Sequence, residues 1–338
     1  MKKITSGIFW LLTIATMKLH AQDAKAMQES ARDFIKQGDY SNAVMLLNKA
    51  HDMEPNNVAI SKDLAMAYYQ KADYTKMQGV IKPLLEKDDA EADIYQLAGI
   101  MYRANNDTKE AEKVYKRALK SYPDNGALLS DYGEILWNKQ DNGSIKYWEH
   151  GIQVDPSYTG NYYNACKYYY VTKDKAWSLI YGEMFVNMES YTRRTVEIKG
   201  VLLDGYKKLF TDADIMKGQD TKNAFATAFL TAMNKQADVA KKGITAETLT
   251  MIRTRFSLEW FDKYAAKFPF KLFDYQKQLL REGNFTAYNQ WLFGSAQNIV
   301  AFESWTNNHA AEYKQFTDAQ GSRMFKLPTG QYYQTNNK

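Results

Sequence analysis

Two carboxylates late in the chain have the spacing that acid–base chemistry would need. Glu259 and Asp262 lie three positions apart, so a helix would place them on one face, and Glu282 follows further on. Paired carboxylates can act as acid and base in the cleavage of glycosidic bonds. This segment also carries lysines, and carboxylates on such a helix are usually solvated. The pair supports only an alternative function, a glycan-binding protein or hydrolase with its site in the C-terminal half.

Other catalytic chemistry lacks the residues that it would need. His51, His150 and His309 lie in well-separated segments, so neither a metal site nor a histidine-centred triad is predicted. Cys166 is the only cysteine, which excludes an internal disulfide and a thiolate metal cluster. The sequence has no phosphate-cradling glycine loop, nucleophile elbow or dinucleotide fingerprint. We expect a non-catalytic protein that needs neither a cofactor nor a metal.

Small residues recur along the first half of the chain at a nearly constant spacing of 34, 34, 34 and 33 positions. A larger apolar residue follows each of them three positions later. Self-similarity at this period predicts a stack of modules, in which the small residues let two helices approach closely. Cys166 occupies one such position, which predicts a buried structural thiol. The small residues are Ala31, Ala65, Gly99, Gly133 and Cys166, and their partners are Phe34, Tyr68, Tyr102, Leu136 and Tyr169.

The third module shows the pattern most clearly. Tyr95, Gly99 and Tyr102 fall on one face of a first helix, Ala111 and Ala118 on one face of a second, and Pro123 ends it. This pattern resembles the tetratricopeptide repeat (TPR). The resemblance implies an all-α fold, in which a TPR-like α-α superhelix is followed by an aromatic-rich C-terminal helical domain. The repeats would cover residues 22–184 as four modules and a more divergent fifth, and residues 185–338 would form the second domain.

The resemblance also implies a concave groove lined by the first helices, where such proteins hold an extended segment of a partner. Aromatic and arginine side chains at matched heights can stack on a peptide and pair with its carboxylates. The alternative is that these side chains pack against the next module or lie on a solvated face. The candidates are Tyr69, Arg103, Trp137 and Tyr170, with Arg32, Lys62, Gln96, Glu134, Tyr163 and Lys167 beside them.

The partner is expected to be a protein or peptide of unknown identity. Family members that bind chaperone tails use a lysine and an asparagine in their first helices, but Gln28 and Arg32 stand at those positions here. A clamp for an acidic chaperone C-terminus is therefore not predicted. Nucleic acid is not implied either, because removing a predicted signal sequence with its three lysines lowers the formal charge from +5 to +2.

The first 21 residues have the features of an export signal. Lys2 and Lys3 precede an apolar run over residues 8–15, and a small-residue cleavage site ends at Ala21. The run is about half of the roughly 20 residues that a spanning helix needs, although an uncleaved anchor is the competing interpretation. We expect an exported bacterial protein, periplasmic or secreted, without a transmembrane segment in the mature chain.

The C-terminal half is unusually aromatic. Twelve of the 38 residues from Phe256 to Phe293 are aromatic, against 14% in the whole chain, which predicts a dense core. Trp291, beside Asn289 and Gln290, is the expected exposed exception. The strings WSLIYGEMF, YNQWLFG and GQYY look like segments of uncharacterised exported repeat proteins of bacterial envelopes. That resemblance implies a compartment and a role in envelope assembly, and it carries no known activity.

Overall fold

The computed structural model describes residues 22–172, 174–211, 214–217, 219, 221–321, 325–328 and 330–334. The predicted signal sequence lies outside these residues. Within them every regular element is a helix and no strand is present, which confirms the predicted all-α fold. The chain divides into two compact units, Met1–Pro123 and Asp124–Lys338.

The described part of the first unit consists of six helices that follow one another as pairs joined by short turns. They are α1 (22–36), α2 (Tyr40–Met53), α3 (Val58–Gln70), α4 (Tyr74–Leu85), α5 (Ala92–Ala104) and α6 (Thr108–Ser121). Each helix also packs against the next one along the chain, from α2 to α6. This is the stacking that the 34-residue period predicts.

The second unit begins with two more pairs and a single long helix. These are α7 (Gly126–Asn138), α8 (Ser144–Val154), α9 (Thr159–Val171), α10 (Lys175–Met188) and α11 (Arg193–Leu209). Further along lie α12 (Ala224–Asn234), α13 (Ala237–Ala240), α14 (Ala246–Lys263), α15 (Lys271–Arg281) and α16 (Phe285–Asn289). A π-helical turn (Gln290–Gly294) leads into α17 (Ser295–Gln297), α18 (Ile299–Asn308) and α19 (Ala310–Gly321).

The small residues of the repeat lie where the two helices of a pair approach most closely. A Cβ atom on Gly99 would lie 2.1 Å from Cζ of Tyr115, and one on Gly133 would lie 2.4 Å from Nε1 of Trp148. In the fifth pair the roles are exchanged, since Gly182 of α10 faces Sγ of Cys166. Cys166 is fully buried, and burial raises the pKa of its thiol to about 12. The prediction of a structural thiol is confirmed.

The turns inside the pairs repeat with the same period. One residue in each of the first four turns has a positive φ, and an aspartate follows it as the next residue. The aspartate side chain accepts a hydrogen bond from a backbone N–H at the start of the second helix, which satisfies a group that the helix leaves unpaired. These residues are Gly38, Ala72, Asn106 and Gln140, followed by Asp39, Asp73, Asp107 and Asp141.

One continuous apolar core fills the second unit from Trp148 to Tyr332. Ten of the twelve aromatic residues between Phe256 and Phe293 are buried, so the predicted aromatic core is confirmed. The prediction that Trp291 is exposed is wrong, because only 4% of it is accessible. Its polar neighbours are buried too, since Asn289 bonds to Arg253 and Gln290 donates to Glu247 at 3.1 Å.

The end of the described chain folds back over this core as a strap, residues 325–328 and 330–334. The ring of Tyr333 stacks on Phe225, with 4.5 Å between the centroids, and its hydroxyl donates to the carbonyl oxygen of Pro269 at 2.6 Å. Gln334 Nε2 donates to the hydroxyl of Tyr169 in α9 at 2.7 Å. The GQYY string at Gly330 therefore has a packing role.

The predicted boundary between residues 184 and 185 lies inside α10, and helices on both sides of it contribute to the same core. The predicted boundary lies where the repeat pattern fades from the sequence. The division of the chain into two domains at that point stays a prediction. None of the helices in the described ranges is long and apolar enough to cross a membrane.

Candidate functional site

Polar side chains connect the first helices of successive modules in the first unit. Gln28 Nε2 and Arg32 Nε in α1 both donate to Oδ2 of Asp63 in α3, at 2.6 and 2.7 Å. Lys62 Nζ in α3 donates in turn to Oδ2 of Asp93 in α5 at 2.5 Å. This hydrogen bond raises the pKa of Lys62. Neighbouring first helices are thus fixed to each other by charge-assisted hydrogen bonds.

The second unit repeats the arrangement between α7 and α9. Asn164 Nδ2 donates to Oγ of Ser130 at 3.2 Å and to Oε1 of Glu134 at 3.1 Å. The donor and its acceptors are 34 and 30 residues apart. Arg32 and Asp63 are separated by 31 residues, and Gln28 and Asp63 by 35. Polar contacts between successive first helices therefore have the same sequence spacing in both units.

The same contacts continue from α9 to α11. The hydroxyl of Tyr163 donates to Oε2 of Glu197 at 2.5 Å, and Lys167 Nζ lies 2.7 Å from Oε1 of the same carboxylate. The hydroxyl of Tyr170 donates to Oδ2 of Asp204 at 2.7 Å. Because these residues are 34, 30 and 34 positions apart in sequence, α11 takes the place of a further first helix.

We call this set of contacts the first-helix ladder. Its members are half-exposed for the most part, and pairs of that kind contribute little to stability. Their larger effect is to hold each side chain in one rotamer, so that a partner would lose less entropy on binding. The ladder comprises Gln28, Arg32, Lys62, Asp63 and Asp93 in the first unit, and Ser130, Glu134, Tyr163, Asn164, Lys167, Tyr170, Glu197 and Asp204 in the second.

The predicted aromatic and arginine anchors have different surroundings. Tyr69 and Arg103 are half-buried at the ends of α3 and α5, and the ring of Tyr69 lies 6.0 Å from that of Tyr74. Gln96 is half-buried in the middle of α5. Trp137 packs edge-to-face on Tyr168 at 5.4 Å, so much of its ring belongs to the core. That these anchors bind a partner stays a prediction.

Cations surround the tyrosines of α9. Lys208 Nζ lies 3.9 Å from the centroid of the Tyr170 ring, and Lys167 Nζ lies 4.8 Å from that of Tyr163. The guanidinium of Arg194 lies 5.1 Å from the centroid of the Tyr163 ring. Such cation–π contacts leave the hydroxyl groups in place to bond the acids of α11.

The carboxylates considered for glycoside cleavage do not have the environment of a general acid. Glu259 Oε1 lies 2.5 Å from Nζ of Lys235 and 3.0 Å from Nζ of Lys263, and these hydrogen bonds lower the pKa of Glu259. A general acid needs a raised pKa. Asp262 is exposed, and Glu282 accepts a hydrogen bond from Gln278 at 2.7 Å. Glu259 is therefore a surface ion-pair partner.

The charged centre of the second unit is buried inside its core. The guanidinium of Arg253 binds Glu183 and Asn289, and the same carboxylate accepts hydrogen bonds from Gln276 and Tyr288, each at 2.8 Å. The adjoining cavity has a volume of about 10 Å³, which is room for one water molecule. This cluster joins α10, α14, α15 and α16 and has no space for a substrate.

The described residues contain no group of three histidine, cysteine or acidic side chains that could hold a metal ion. The three histidines within the described ranges have separate surroundings. Nδ1 of His51 lies 3.3 Å from Oγ of Ser61, Nε2 of His150 lies 3.0 Å from Oδ1 of Asp124, and the ring of His309 stacks on Trp305 at 4.4 Å.

Sequence models of the tetratricopeptide repeat match residues 34–99 and 92–135. Residues 34–135 therefore contain tetratricopeptide repeats, as the sequence pattern predicts. RNA polymerase II-associated protein 3 of Mus musculus is 22% identical over 130 residues, which make up 38% of this chain. The chain spans about a fifth of the length of that relative. A tetratricopeptide repeat protein from Parabacteroides merdae ATCC 43184, known from its crystal structure, is 14% identical, with a TM-score of 0.43 over 77% of this chain and 99% of that one.

Part of the ladder was missing from the sequence-based candidates. Sequence reasoning found Arg32, Lys62, Glu134, Tyr163, Lys167 and Tyr170. It missed the residues that bind them, which are Asp63, Asp93, Asn164, Glu197 and Asp204. Those partners lie 30 to 35 residues away and carry complementary groups. A search for opposite charges at the repeat spacing would have found Asp63, Asp93 and Glu197.

Proposed function

We propose that this protein is a non-catalytic scaffold that holds an extended segment of a protein partner on the first helices of each unit. Tetratricopeptide repeats point to interaction with proteins, and stacked helix pairs present extended surfaces suited to a peptide. The first-helix ladder is the single observation that carries the proposal. It gives each unit a surface whose polar side chains are already fixed in place.

The chemistry of the surface suggests what it would recognise. Tyr69 and Arg103 lie one module apart, and the ladder residues beside them offer both donors and acceptors. A peptide main chain needs both kinds of group, and an aromatic side chain would supply apolar contact area. The partner that fits is an extended polar segment with apolar side chains at intervals.

We also propose that the protein acts after export from a bacterial cytoplasm, in the periplasm or outside the cell, with a role in envelope assembly. The charged start, short apolar run and small-residue cleavage site of residues 1–21 support this location. The mature chain would begin at Gln22. N-terminal sequencing of the protein recovered from the periplasm tests the cleavage position.

A selection from a random peptide library tests the proposed surface. Peptides selected on the mature chain are labelled, and their affinities are measured by fluorescence anisotropy. Tyr69→Ala and Arg103→Ala are each expected to weaken binding at least about tenfold, the effect of losing one anchor residue. Lys120→Ala, on the exposed side of the second helix α6, is the matched control and should leave the affinity unchanged.

Circular dichroism of every variant shows whether its helices are intact. Equal affinities for Tyr69→Ala, Arg103→Ala and Lys120→Ala would contradict the proposed surface. A library that yields no peptide at all would contradict the peptide-binding function itself.

A further inference from the structure

The turn between the second and third helix pairs is longer than the turns between the neighbouring pairs. Helix α4 has 12 residues, whereas α2 and α6 have 14 each, and the turn that follows α4 runs over six residues, 86–91. The turns after α2, α6 and α8 have four residues each, and the second residue is a proline, namely Pro55, Pro123 and Pro156. Asp89 lies 34 positions after Pro55, so an exposed acid takes the place of the proline in the longer turn.

A cavity of about 90 Å³ lies beside this longer turn. That volume has room for several groups of the size of a water molecule, and therefore for a side chain. Three buried residues line it, Leu84, Ala90 and Ile94. Val58 at the start of α3, which is half-buried, adds a fourth aliphatic side chain. The inner wall of the cavity is therefore aliphatic.

The outer rim of the cavity is charged. Its lining is completed by Lys87, Asp89 and Glu91, which are all exposed. With Glu86 and Asp88, the six-residue turn holds four carboxylates against one ammonium group, a formal charge of −3. An opening with this charge repels an acidic side chain and attracts a basic one.

One of the rim carboxylates connects the cavity to the first-helix ladder. Oε2 of Glu91 accepts a hydrogen bond from Nζ of Lys62 at 3.3 Å, and the same ammonium group binds Asp93. The Asp89 carboxylate takes part in no ion pair within the described ranges, so its charge is available to a ligand. The cavity therefore lies at the edge of the surface that we propose for the partner.

We propose that this cavity receives a lysine or arginine side chain of the bound segment. The methylene stem of that side chain lies against the aliphatic wall, and its cationic head binds Asp89 and Glu91 at the rim. An acidic side chain would meet the negative charge of the turn, and an uncharged one would leave the Asp89 carboxylate without a partner. The inference rests on the proposed function, and it adds to the partner a basic residue that reaches the turn between α4 and α5.

Methyl NMR spectroscopy of the folded full-length chain tests the cavity directly. The isoleucine δ1 methyl groups are labelled with carbon-13, and the chain is titrated with N-acetyl-arginine amide or with N-acetyl-citrulline amide, which has the same stem without the charge. We expect the arginine probe to shift the signal of Ile94 and to leave that of Ile152, in α8, unchanged. The citrulline probe should bind at least about threefold more weakly, because it forms no ion pair at the rim.

Three substitutions in the turn separate the proposed contact from a general effect of charge. Asp89→Asn should weaken binding of the arginine probe at least about threefold. Asp88→Asn removes the same charge from a residue outside the cavity lining, so it should leave the affinity within about twofold. Lys87→Gln removes the cation of the lining and should strengthen binding by about twofold. A substitution that merely disturbed the turn would not produce this gain.

Failure of this inference can be told apart from failure of the proposed function, because the two probes do not depend on the peptide selection. No shift at Ile94, equal affinities of the two probes, or equal affinities of Asp89→Asn and Asp88→Asn for the arginine probe would overturn the inference. Peptides that bind through Tyr69 and Arg103 would then still support the first-helix surface. A saturable shift at Ile94 that needs the charges of the probe and of Asp89 supports the inference, even if the library yields no peptide.

Discussion

At the scale of single residues, the second unit contains a carboxylate that has few partners for its charge. Glu149 in α8 accepts a hydrogen bond from the hydroxyl of Tyr169 at 2.6 Å, and Gln334 of the strap donates to that hydroxyl. Burial, and then the nearby charge of Asp174, raise the pKa of Glu149 to about 7, and the bonds from Tyr169 and Gln334 only partly oppose this. The group is protonated in mildly acidic solution and ionised above pH 7.

This shift predicts how stability depends on pH. Between about pH 4.5 and 7 the folded state holds a proton at Glu149 that the unfolded state has lost, so stability falls as pH rises through this window. Glu149→Gln keeps an acceptor for Tyr169 and removes the charge. We expect the variant to be more stable than the natural chain by roughly 2 to 3 kcal/mol at pH 8, and nearly equal to it at pH 4.5.

Denaturation by urea, followed by circular dichroism at both pH values, measures the two differences. A gain from Glu149→Gln that is the same at pH 4.5 and pH 8 would show that ionisation of this residue is not its cause.

At the scale of elements, the distance between paired helices depends on glycines at the repeat positions. Gly99 in α5 lies against the buried ring of Tyr115 in α6, where a Cβ atom would be 2.1 Å from Cζ. We expect Gly99→Ala to force the two helices apart and to reduce the free energy of unfolding by about 1 to 3 kcal/mol.

Gly79 in α4 offers the same substitution without the contact, because no heavy atom lies within 4 Å of its would-be Cβ. Gly79→Ala should stabilise the chain by about 0.5 to 1 kcal/mol, since alanine favours the helix. Thermal unfolding of both variants checks the signs. An increase in Tm for Gly99→Ala would contradict the register of the helix pairs.

The repeat could be predicted from sequence because the close contact between the two helices of each pair requires a small residue at every period. Small residues recur every 34 positions because two helices approach closely at each of them. At Gly99 and Gly133 a side chain would collide with the second helix of the pair. The ladder between α9 and α11 could not be predicted in the same way. It depends on Glu197 and Asp204, which lie beyond the point where the small residues stop marking the register.

Trp291 shows a different limit of sequence reasoning. Two polar neighbours suggested exposure, yet Asn289 and Gln290 are buried because Arg253 and Glu247 supply their hydrogen bonds. Those partners come from α14, far away in sequence. A local pattern cannot show which polar side chains will find a partner inside the core.

At the scale of the whole molecule, the function that we propose rests on two surfaces, one in each unit, and the first-helix ladder forms both of them. In both units, first helices of successive modules are joined by polar contacts at 30 to 35 residues of separation. The charge of the protein is modest, so recognition would depend on local groups rather than on a long-range field.

Photo-crosslinking tests the central claim most directly. A benzophenone amino acid is placed at Gln96 in α5, on the first-helix surface of the first unit, or at Lys120 in α6, the second helix of the same pair. Each protein is then irradiated in the presence of a library-selected peptide. We predict a crosslinked product from position 96 and none from position 120. Crosslinking from position 120 alone, or equal yields from the two positions, would contradict the claim that the first helices hold the partner.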